Sequence, residues 1–449
     1  MGQKKLVILG GGESGVGTAL LAKAKGLDLF LSDGGSLQPK YRQLLEQQGI
    51  PFEEGQHSED QILGAGEVVK SPGIPDNAPL VSKLYQKGIP VVSEIEFASR
   101  YTSAKLIAIT GSNGKTTTTL LTYHLLRSAG LSVGLAGNIG ESFAKQVMDQ
   151  PYEYYVLELS SFQLDNMYRF RANIAVLLNI TPDHLDRYGY NFQSYVDAKF
   201  RIVQNQTSED DFIYYAGSEP IRAELAKGAL PARQWPIHLE DHPSQGGCLR
   251  NDTLKVTSHG QVFEQSLAEL PLPGTHNAIN AMAAILVAQS VGLTPDQIRD
   301  GLRSFQNAPH RLETIATFEG VRYVNDSKAT NVDSVFYALG SFDQPLILIA
   351  GGVDKGNDYQ QIAELVRTKV KGFIALGKDN TKLTRYFAPL VPQFFATDSI
   401  HEAVEKARSW SQAGDVVLLS PACASFDLFR NYEDRGEQFK TAVHRLIGT

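Results

Sequence analysis

The chain has 449 residues, 42% of them hydrophobic and 20% charged, and its formal net charge at pH 7 is −7. This is the composition of an ordinary globular protein, and at roughly 150 residues a domain its length predicts about three domains. The acidic balance argues against a nucleic-acid partner. No apolar run approaches the ~18 residues of a transmembrane helix. The two cysteines form no spaced pattern, which is typical of a reducing cytoplasm.

The first predicted strand, residues 5–9, leads into a glycine-rich turn. Gly10, Gly12 and Gly15 have the G-x-G-x-x-G spacing, and a second strand, residues 29–33, ends in Asp33. This order is typical of a dinucleotide-binding unit. It also fits another nucleotide diphosphate, or a tight strand-to-helix turn with no ligand. A later strand, residues 68–70, ends in a loop at the same predicted sheet edge, and we place the end of this first domain at residue 93.

A phosphate-binding loop is predicted after the apolar strand of residues 106–109. Its sequence is Thr110-Gly111-Ser112-Asn113-Gly114-Lys115-Thr116-Thr117. Backbone N–H groups of such a turn and the N-terminus of the following helix bind anions, the lysine reaches the outer phosphates, and the Thr116 hydroxyl can ligate Mg²⁺. The match is incomplete, because Ile109 stands where the general pattern has its first glycine.

Two further strands of the middle segment end in polar side chains. Residues 155–159 carry Glu158, which is placed to ligate Mg²⁺ at the carboxyl end of a parallel strand. Residues 174–179 are followed by His184, a candidate metal ligand or phosphate contact in an acidic context. By composition alone Lys199 is a lysine on a helix surface. Residues 207–269 are polar and are interpreted as irregular, and the helix that follows presents Asn277 and Asn280 three residues apart.

The third segment again alternates strands with helices. Its predicted strands are residues 322–325, 346–350, 373–376 and 416–419, and each ends in a polar or glycine-rich loop. This pattern predicts a third parallel α/β unit whose loops lie at one edge of the sheet.

Together these motifs resemble the Mur ligase family, from about Gly10 to Phe439. The family's shortened phosphate loop lacks the first glycine, which accounts for Ile109. The segments 158–164, 181–188 and 420–427 resemble those of members that add D-glutamate. The resemblance implies an α/β fold with three domains: an N-terminal Rossmann-like domain (1–93), a central P-loop ATPase domain with a mostly parallel sheet (94–307) and a C-terminal Rossmann-like domain (308–449).

The resemblance also implies roles for individual residues. The UDP moiety of the substrate is expected at Ser14, Gly15, Asp33, Ser71, Gly73 and Asn138. ATP is expected at Gly111, Ser112, Asn113, Gly114, Lys115, Thr116, Thr117, Asn277, Arg311, Asp326 and Lys328. D-Glutamate is expected at Thr330, Lys355, Ser425 and Tyr432. The catalytic residues are expected to be Lys115, Glu158, His184 and Lys199. Two Mg²⁺ ions are expected, one at Thr116 and Glu158 and one at His184 and a carbamylated Lys199.

The implied reaction is ATP-dependent addition of D-glutamate to UDP-N-acetylmuramoyl-L-alanine through an acyl phosphate, in peptidoglycan precursor synthesis. The expected enzyme is a monomer of the bacterial cytoplasm, without a nucleic-acid partner or membrane span. Tyr432 stands where we expect Phe, and Val353 replaces a residue that is acidic in some members. Three alternatives remain open: a nicotinamide-dependent oxidoreductase, a P-loop switch without a ligase step, and a ligase for another amino acid or of folylpolyglutamate type.

Overall fold

The computed structural model describes residues 5–242, 245–272, 274–354 and 356–448. Contacts divide the chain into two compact units. One contains Met1–Ser266 and Ile279–Ser304, and the other contains Leu267–Ala278 and Phe305–Thr449. The first unit holds two sheets and the second unit holds a third, which confirms the predicted α/β class. The domain boundaries proposed from the sequence stay a prediction.

The first sheet is parallel and covers the N-terminal segment. Its strands are Leu6–Leu9 (β1), Leu29–Asp33 (β2), Phe52–Glu54 (β3), Glu67–Lys70 (β4) and Val91–Val92 (β5), in the order β3-β2-β1-β4-β5. Its helices are Glu13–Ala24 (α1), Pro39–Gln47 (α2), Glu59–Ile62 (α3), Pro79–Gln86 (α4) and Glu94–Ser99 (α5). The central strand β1 is apolar at every position and fully buried, as expected of a strand covered on both faces.

The second sheet carries the phosphate loop. Its strands are Lys105–Thr110 (β6), Val133–Gly137 (β7), Tyr154–Glu158 (β8), Ile174–Leu177 (β9), Asp211–Tyr215 (β10), Arg233–Ile237 (β11), Gly246–Arg250 (β12), Thr253–Ser258 (β13) and Gln261–Ser266 (β14). The order is β14-β13-β12-β11-β10-β9-β6-β8-β7. Its helices are Lys115–Ser128 (α6), Phe143–Asp149 (α7), Ser161–Asp165 (α8), Phe192–Phe200 (α9), Glu219–Leu225 (α10), Thr275–Ser290 (α11) and Pro295–Ser304 (α12).

The interpretation of residues 207–269 as irregular was wrong, because this segment contains β10 to β14. Strands β12, β13 and β14 pair in antiparallel order through two tight turns. Asn251 and Asp252 form the first turn with φ of 46° and 57°, and His259 and Gly260 form the second with φ of 50° and 75°. Such pairs of positive-φ residues join hairpin strands. Along β13 buried and half-buried positions alternate. Only every second residue is therefore buried, and the polar residues between them made the strand hard to recognise in the sequence.

The third sheet lies in the second unit. Its strands are Glu313–Phe318 (β15), Val321–Asn325 (β16), Leu346–Gly351 (β17), Val370–Leu376 (β18), Gln393–Thr397 (β19) and Val416–Ala422 (β20), in the order β15-β16-β20-β17-β18-β19. Its helices are Val332–Gly340 (α13), Gln360–Lys369 (α14), Thr381–Phe387 (α15), Ile400–Trp410 (α16) and Tyr432–Ile447 (α17). Strand β15 pairs antiparallel with β16, and the other pairs are parallel. Strands β15 and β19 were not predicted from the sequence.

None of the helices in the described ranges combines the length and the apolar character that crossing a membrane requires.

Candidate functional site

The predicted phosphate loop connects β6 to α6, as expected. Its two glycines have positive φ, 156° at Gly111 and 82° at Gly114, which other residues rarely adopt. A Cβ at Gly114 would lie 2.5 Å from Oδ1 of Asn280, so a side chain there would have to displace Asn280. Helix α6 begins at Lys115, and Thr116 and Thr117 in its first turn are buried. The first-turn N–H groups therefore face the loop, where an anion would bind.

Asn179 holds the loop from the end of the neighbouring strand β9. Its Oδ1 accepts a hydrogen bond from N–H of Asn113 at 2.8 Å, and its Nδ2 donates to the carbonyl of Asn113 at 3.1 Å. The backbone N–H of Ser112 donates to the Asn179 carbonyl. Asn179 was predicted to lie at a strand end, and no role was predicted for it. Its position directly after a strand next to the loop, together with its amide side chain, could have indicated this role.

Two lysines reach the same carbonyl oxygen of this loop. Nζ of Lys115 donates to the carbonyls of Gly111 and Ser112 at 2.8 Å each, and Nζ of Lys199 donates to the Gly111 carbonyl at 2.8 Å. Lys199 is 1% exposed, so its interpretation as a helix-surface lysine was wrong. Burial, followed by repulsion from Lys115, lowers the pKa of Lys199 well below its usual value. The structure therefore favours a neutral amine at this position.

Glu158 ends β8, and the register pairs it with Ile109 on β6. Its carboxylate is buried, and Oε1 accepts a hydrogen bond from Nδ2 of Asn138 at 2.8 Å. Within the described residues Oε2 has no hydrogen-bond partner. A buried carboxylate oxygen without a partner is costly, and a bound cation would satisfy it. Asn138, which we expected at the UDP moiety, thus braces Glu158 in this structure.

His184 lies on the loop after β9, just before a short helical turn of residues 185–188. Its φ is 51° and its side chain is 55% exposed. Nε2 lies 3.6 Å from Oδ2 of Asp183, and the imidazole packs against the Phe162 ring at 5.2 Å between centroids. Asp183 also acts electrostatically on Lys199 and raises its pKa in opposition to burial. The structure therefore brings the acidic loop and Lys199 into the same electrostatic environment.

The donor set fits Mg²⁺ in part. Among the described residues no three His, Cys, Asp or Glu side chains cluster as a metal centre on their own. The oxygen-rich ligands that Mg²⁺ prefers are present as Glu158 Oε2 and the Thr116 hydroxyl, and such sites usually take further oxygens from phosphates and water. The amine of Lys199 is no oxygen ligand, but its lowered pKa favours the uncharged form, which is the form that reacts with CO₂.

The residues expected at the UDP moiety lie mostly at the carboxyl edge of the first sheet. Oδ2 of Asp33 accepts a hydrogen bond from N–H of Gly11 at 2.6 Å, and Oδ1 accepts one from N–H of Gly35 at 2.7 Å. A Cβ at Gly15 would lie 1.8 Å from the carbonyl oxygen of Gly10, so helix α1 needs glycine there. Ser14 opens this helix, and Ser71 and Gly73 follow β4 across the same turn. The Asp33 carboxylate thus holds the glycine turn after β1 and the loop after β2 at this edge of the sheet.

The third sheet gathers most of the remaining expected residues at adjacent strand ends. Asp326, Lys328 and Thr330 follow β16, and Ser425 follows the neighbouring strand β20. Nζ of Lys328 lies 5.2 Å from the ring centroid of Tyr432 at the start of α17. Arg311 precedes β15 and Asn277 lies in α11. Lys355, the other residue expected at D-glutamate, lies outside the described residues.

Asp326 is a buried carboxylate at the end of β16. Burial raises its pKa to about 7. Its Oδ2 accepts a hydrogen bond from the Ser420 hydroxyl at 2.9 Å, and Oδ1 accepts one from N–H of Leu312 at 3.2 Å. The Arg311 guanidinium lowers the pKa in opposition to burial. A perturbed carboxylate at a strand end is a frequent property of functional sites.

Three family models match successive parts of the chain. The description "Mur ligase MurD-like, N-terminal domain" matches residues 4–93. "Mur ligase middle domain" matches residues 109–288, and "Mur ligase, glutamate ligase domain" matches residues 310–423.

Individual proteins agree with these matches. A UDP-N-acetylmuramoylalanine–D-glutamate ligase of Bacteroides fragilis is 52% identical over 444 residues, which covers 99% of this chain and 100% of that protein. A pseudomurein peptide ligase type C from Methanothermus fervidus has a TM-score of 0.63 at 18% identity and covers 99% of this chain and 100% of that one. A UDP-N-acetylmuramate–alanine ligase from Thermotoga maritima has a TM-score of 0.60 at 19% identity, with 99% of each chain covered. The two solved structures support the fold alone.

Proposed function

The chain belongs to the Mur ligase family, and on that premise we propose that it joins D-glutamate to UDP-N-acetylmuramoyl-L-alanine with the energy of ATP. The observation that carries the ligase chemistry is the phosphate loop where Lys115 and Lys199 meet at the Gly111 carbonyl. The amino acid and the UDP substrate are proposed from the 52% identity to the Bacteroides fragilis ligase over nearly the whole chain. We place the enzyme in the bacterial cytoplasm as a monomer that supplies peptidoglycan precursors.

The reaction has to activate a carboxylate, which resists amines because it is anionic and has no good leaving group. Transfer of the γ-phosphoryl group of ATP to the alanyl carboxylate gives an acyl phosphate and ADP. The uncharged amine of D-glutamate then attacks the acyl carbon, the C–N bond forms, the amine loses a proton, and inorganic phosphate leaves. The loop N–H groups and the Lys115 ammonium hold the phosphates in line and offset the repulsion between the two anions.

Mg²⁺ bound at this site would neutralise charge on the phosphate oxygens. We assign Thr116 and Glu158 to one ion, because the unpartnered Oε2 of Glu158 is a ready oxygen ligand. We assign His184 and Lys199 to a second ion. Asn138 keeps the Glu158 carboxylate in place through its hydrogen bond to Oε1.

Carbamylation would convert Lys199 into an oxygen ligand. Its neutral amine attacks CO₂, an N–C bond forms, and one proton is released to solvent, which leaves an anionic carbamate. The buried position and the depressed pKa support this assignment, because both favour the unprotonated amine that the reaction needs.

The other two substrates are assigned to the other two sheets. Ser14, Gly15, Asp33, Ser71 and Gly73 are proposed to bind the UDP moiety at the edge of the first sheet, as in other nucleotide-binding sheets of this type. Arg311, Asp326 and Lys328 are proposed to contact the nucleotide, with Asn277 at the adenine. Thr330, Lys355, Ser425 and Tyr432 are proposed to bind D-glutamate.

A panel of amino acids tests this function. The protein is incubated with UDP-N-acetylmuramoyl-L-alanine, ATP and Mg²⁺, and phosphate release is measured with each amino acid in turn. D-Glutamate should support release, and omission of either co-substrate should abolish it. The Lys115→Ala protein is the control for a contaminating ATPase. Efficient use of L-glutamate would instead indicate a folate-type ligase, and release without any amino acid would indicate a simple ATPase.

A further inference from the structure

A single buried arginine lies beneath the loops of the third sheet. Arg435, on helix α17, is 1% exposed. Its Nε donates to the hydroxyl of Ser327 at 2.9 Å, and its Nη2 donates to the Ser327 carbonyl at 2.8 Å. Its Nη1 donates to the carbonyls of Gly351 at 3.3 Å and Cys423 at 3.1 Å. One guanidinium therefore ties three separate loops together.

These three loops are the ones that carry the proposed ligand residues. Ser327 lies between Asp326 and Lys328, at the end of β16. Gly351 ends β17, and Cys423 lies two residues before Ser425, at the end of β20. The strands are adjacent in the sheet in the order β16-β20-β17. The guanidinium is thus centred below the strand ends at which we place the amino acid and the nucleotide.

The charge of Arg435 is buried without a carboxylate in contact in the part of the chain that the structure describes. Among the described residues no carboxylate forms an ion pair with it within 4.0 Å, although Asp427 and Asp326 act on it over a longer range. Burial lowers its pKa to about 10, so it stays protonated at neutral pH. A buried cation without a carboxylate in contact is costly to keep in a folded protein, and packing alone does not require it. Its positive potential is available to anions bound above it.

We propose that Arg435 is a positioning residue for the amino-acid site: its planar guanidinium fixes the three loops, and its charge favours an amino acid with two carboxylates. The proposal rests on the proposed function, since the loops are assigned to D-glutamate there. The charge of Arg435 and its planar set of hydrogen-bond donors can be separated by substitution. Lysine keeps the charge but loses the planar donors, whereas methionine keeps most of the volume but loses both.

The test compares Arg435→Lys and Arg435→Met with Arg445→Met, a matched change at an exposed arginine of the same helix. For each protein, kcat and the KM values for D-glutamate and for the UDP substrate are measured. Arg435→Met should raise the D-glutamate KM by about tenfold or more, because it removes several charge-assisted hydrogen bonds. Arg435→Lys should recover part of this loss. The KM for the UDP substrate should not change, and Arg445→Met should resemble the unmodified protein.

A folded Arg435→Met protein with an unchanged D-glutamate KM would overturn the proposal, and so would an equal rise in both KM values. If Arg435→Met fails to fold, Arg435→Lys and Ser327→Ala replace it, and an unchanged D-glutamate KM in both of these variants overturns the proposal equally.

Amide hydrogen exchange provides a readout that does not depend on the reaction. Exchange in residues 326–331, 351–354 and 422–425 should be faster in Arg435→Lys, and unchanged exchange counts against the proposal. Failure of the unmodified protein to use D-glutamate would refute the proposed function alone.

Discussion

At the scale of single residues, the phosphate loop depends on two lysines that donate to one acceptor. The Gly111 carbonyl receives both Nζ atoms at 2.8 Å, and two ammonium groups so close would repel each other. The structure resolves this conflict at Lys199, where burial and the charge of Lys115 together lower the pKa. We infer a division of roles: Lys115 supplies positive charge to the phosphates, and Lys199 supplies a neutral amine for CO₂.

Replacement of Lys199 tests the carbamate. Lys199→Ala should reduce the rate on the order of 10²-fold or more, because a metal ligand is lost. A short carboxylic acid should partly restore the rate by supplying oxygen atoms in the cavity, whereas bicarbonate should not, because no amine remains. The measurement is phosphate release with and without added acid. The matched variant is Lys199→Arg. Full activity of that variant without a response to acid would refute the carbamate and leave the ligase assignment intact.

Replacement of Lys115 tests the phosphate contact. Lys115→Ala should lower kcat on the order of 10²-fold or more, because it removes a preorganised charge at the transferred phosphoryl group. Binding of the UDP substrate should be nearly unchanged, because Lys115 begins helix α6 beside the second sheet and that substrate is assigned to the first sheet. Calorimetric titration with the UDP substrate measures the second effect. A variant with near-normal turnover would remove Lys115 from the mechanism.

Asp326 predicts a pH-dependent change in stability. Its pKa is 3.8 in an unfolded chain and about 7 in the fold, because it is buried. Below 3.8 both states hold the proton, and between the two values only the folded state does, so the residue lowers the free energy of unfolding as pH rises toward 7. Asp326→Asn removes this titration. Its stability relative to the unmodified protein should improve across that interval, by on the order of a few kcal/mol.

Equilibrium unfolding by denaturant at several pH values measures this difference. Asp28→Asn, a change at an exposed aspartate, is the control and should show no such trend. Parallel stability curves for Asp326→Asn and the unmodified protein would show that the fold does not hold this carboxyl in its neutral form.

At the scale of elements, several strands with continuous apolar runs were predicted from the sequence, whereas the antiparallel strands β12 to β14 were not. Strands β1 and β17 are continuous apolar runs, and so are residues 106–109 within β6, because parallel strands in the middle of a sheet are covered on both faces. The antiparallel strand β13 buries only every second residue, and its sequence therefore looked like a loop. The burial of Lys199 was not predicted for a similar reason. A polar residue that is buried by tertiary packing leaves no periodic signal in the sequence. The loop residues around Lys115 were predictable because the turn demands particular residue types.

A short element, α5, connects the first two sheets through a buried carboxylate. Glu94 is 3% exposed, and its Oε1 accepts hydrogen bonds from the Ser142 hydroxyl and from N–H of Ala144 at 3.0 Å. These two donors belong to the start of helix α7 of the second sheet. The carboxylate thus anchors the beginning of α7 to the segment that follows the first sheet.

Glu94→Ala should therefore lower the free energy of unfolding by about 2–4 kcal/mol, because it leaves a buried N–H without an acceptor and opens a cavity. Thermal and denaturant unfolding would measure the loss. Glu46→Ala, at an exposed glutamate of α2, is the control and should change little. A change in Glu94→Ala no larger than in the control would mean that α7 is held by packing alone.

At the scale of the whole molecule, three sheets present three sets of loops at the carboxyl ends of their strands. The glycine turn braced by Asp33 belongs to the first sheet, the phosphate loop to the second, and the loops tied by Arg435 to the third. Ligands of α/β sheets bind at this edge, so each set of loops is a candidate for substrate binding. A reaction with three substrates is consistent with that division, and the specificity for each substrate should be separable by mutation.

The kinetic constants of variants in different sheets test this separability. Asp33→Asn should raise the KM for the UDP substrate, because an amide cannot accept from both Gly11 and Gly35 as the carboxylate does. Thr330→Val should raise the KM for D-glutamate alone, because it removes a hydroxyl from the β16 loop. The two residues belong to different compact units, so their effects should multiply in the double variant. Steady-state kinetics with each substrate varied in turn would measure both constants. If Asp33→Asn raised both KM values alike, the assignment of the UDP substrate to the first sheet and of D-glutamate to the third would be wrong, even if the overall reaction were confirmed.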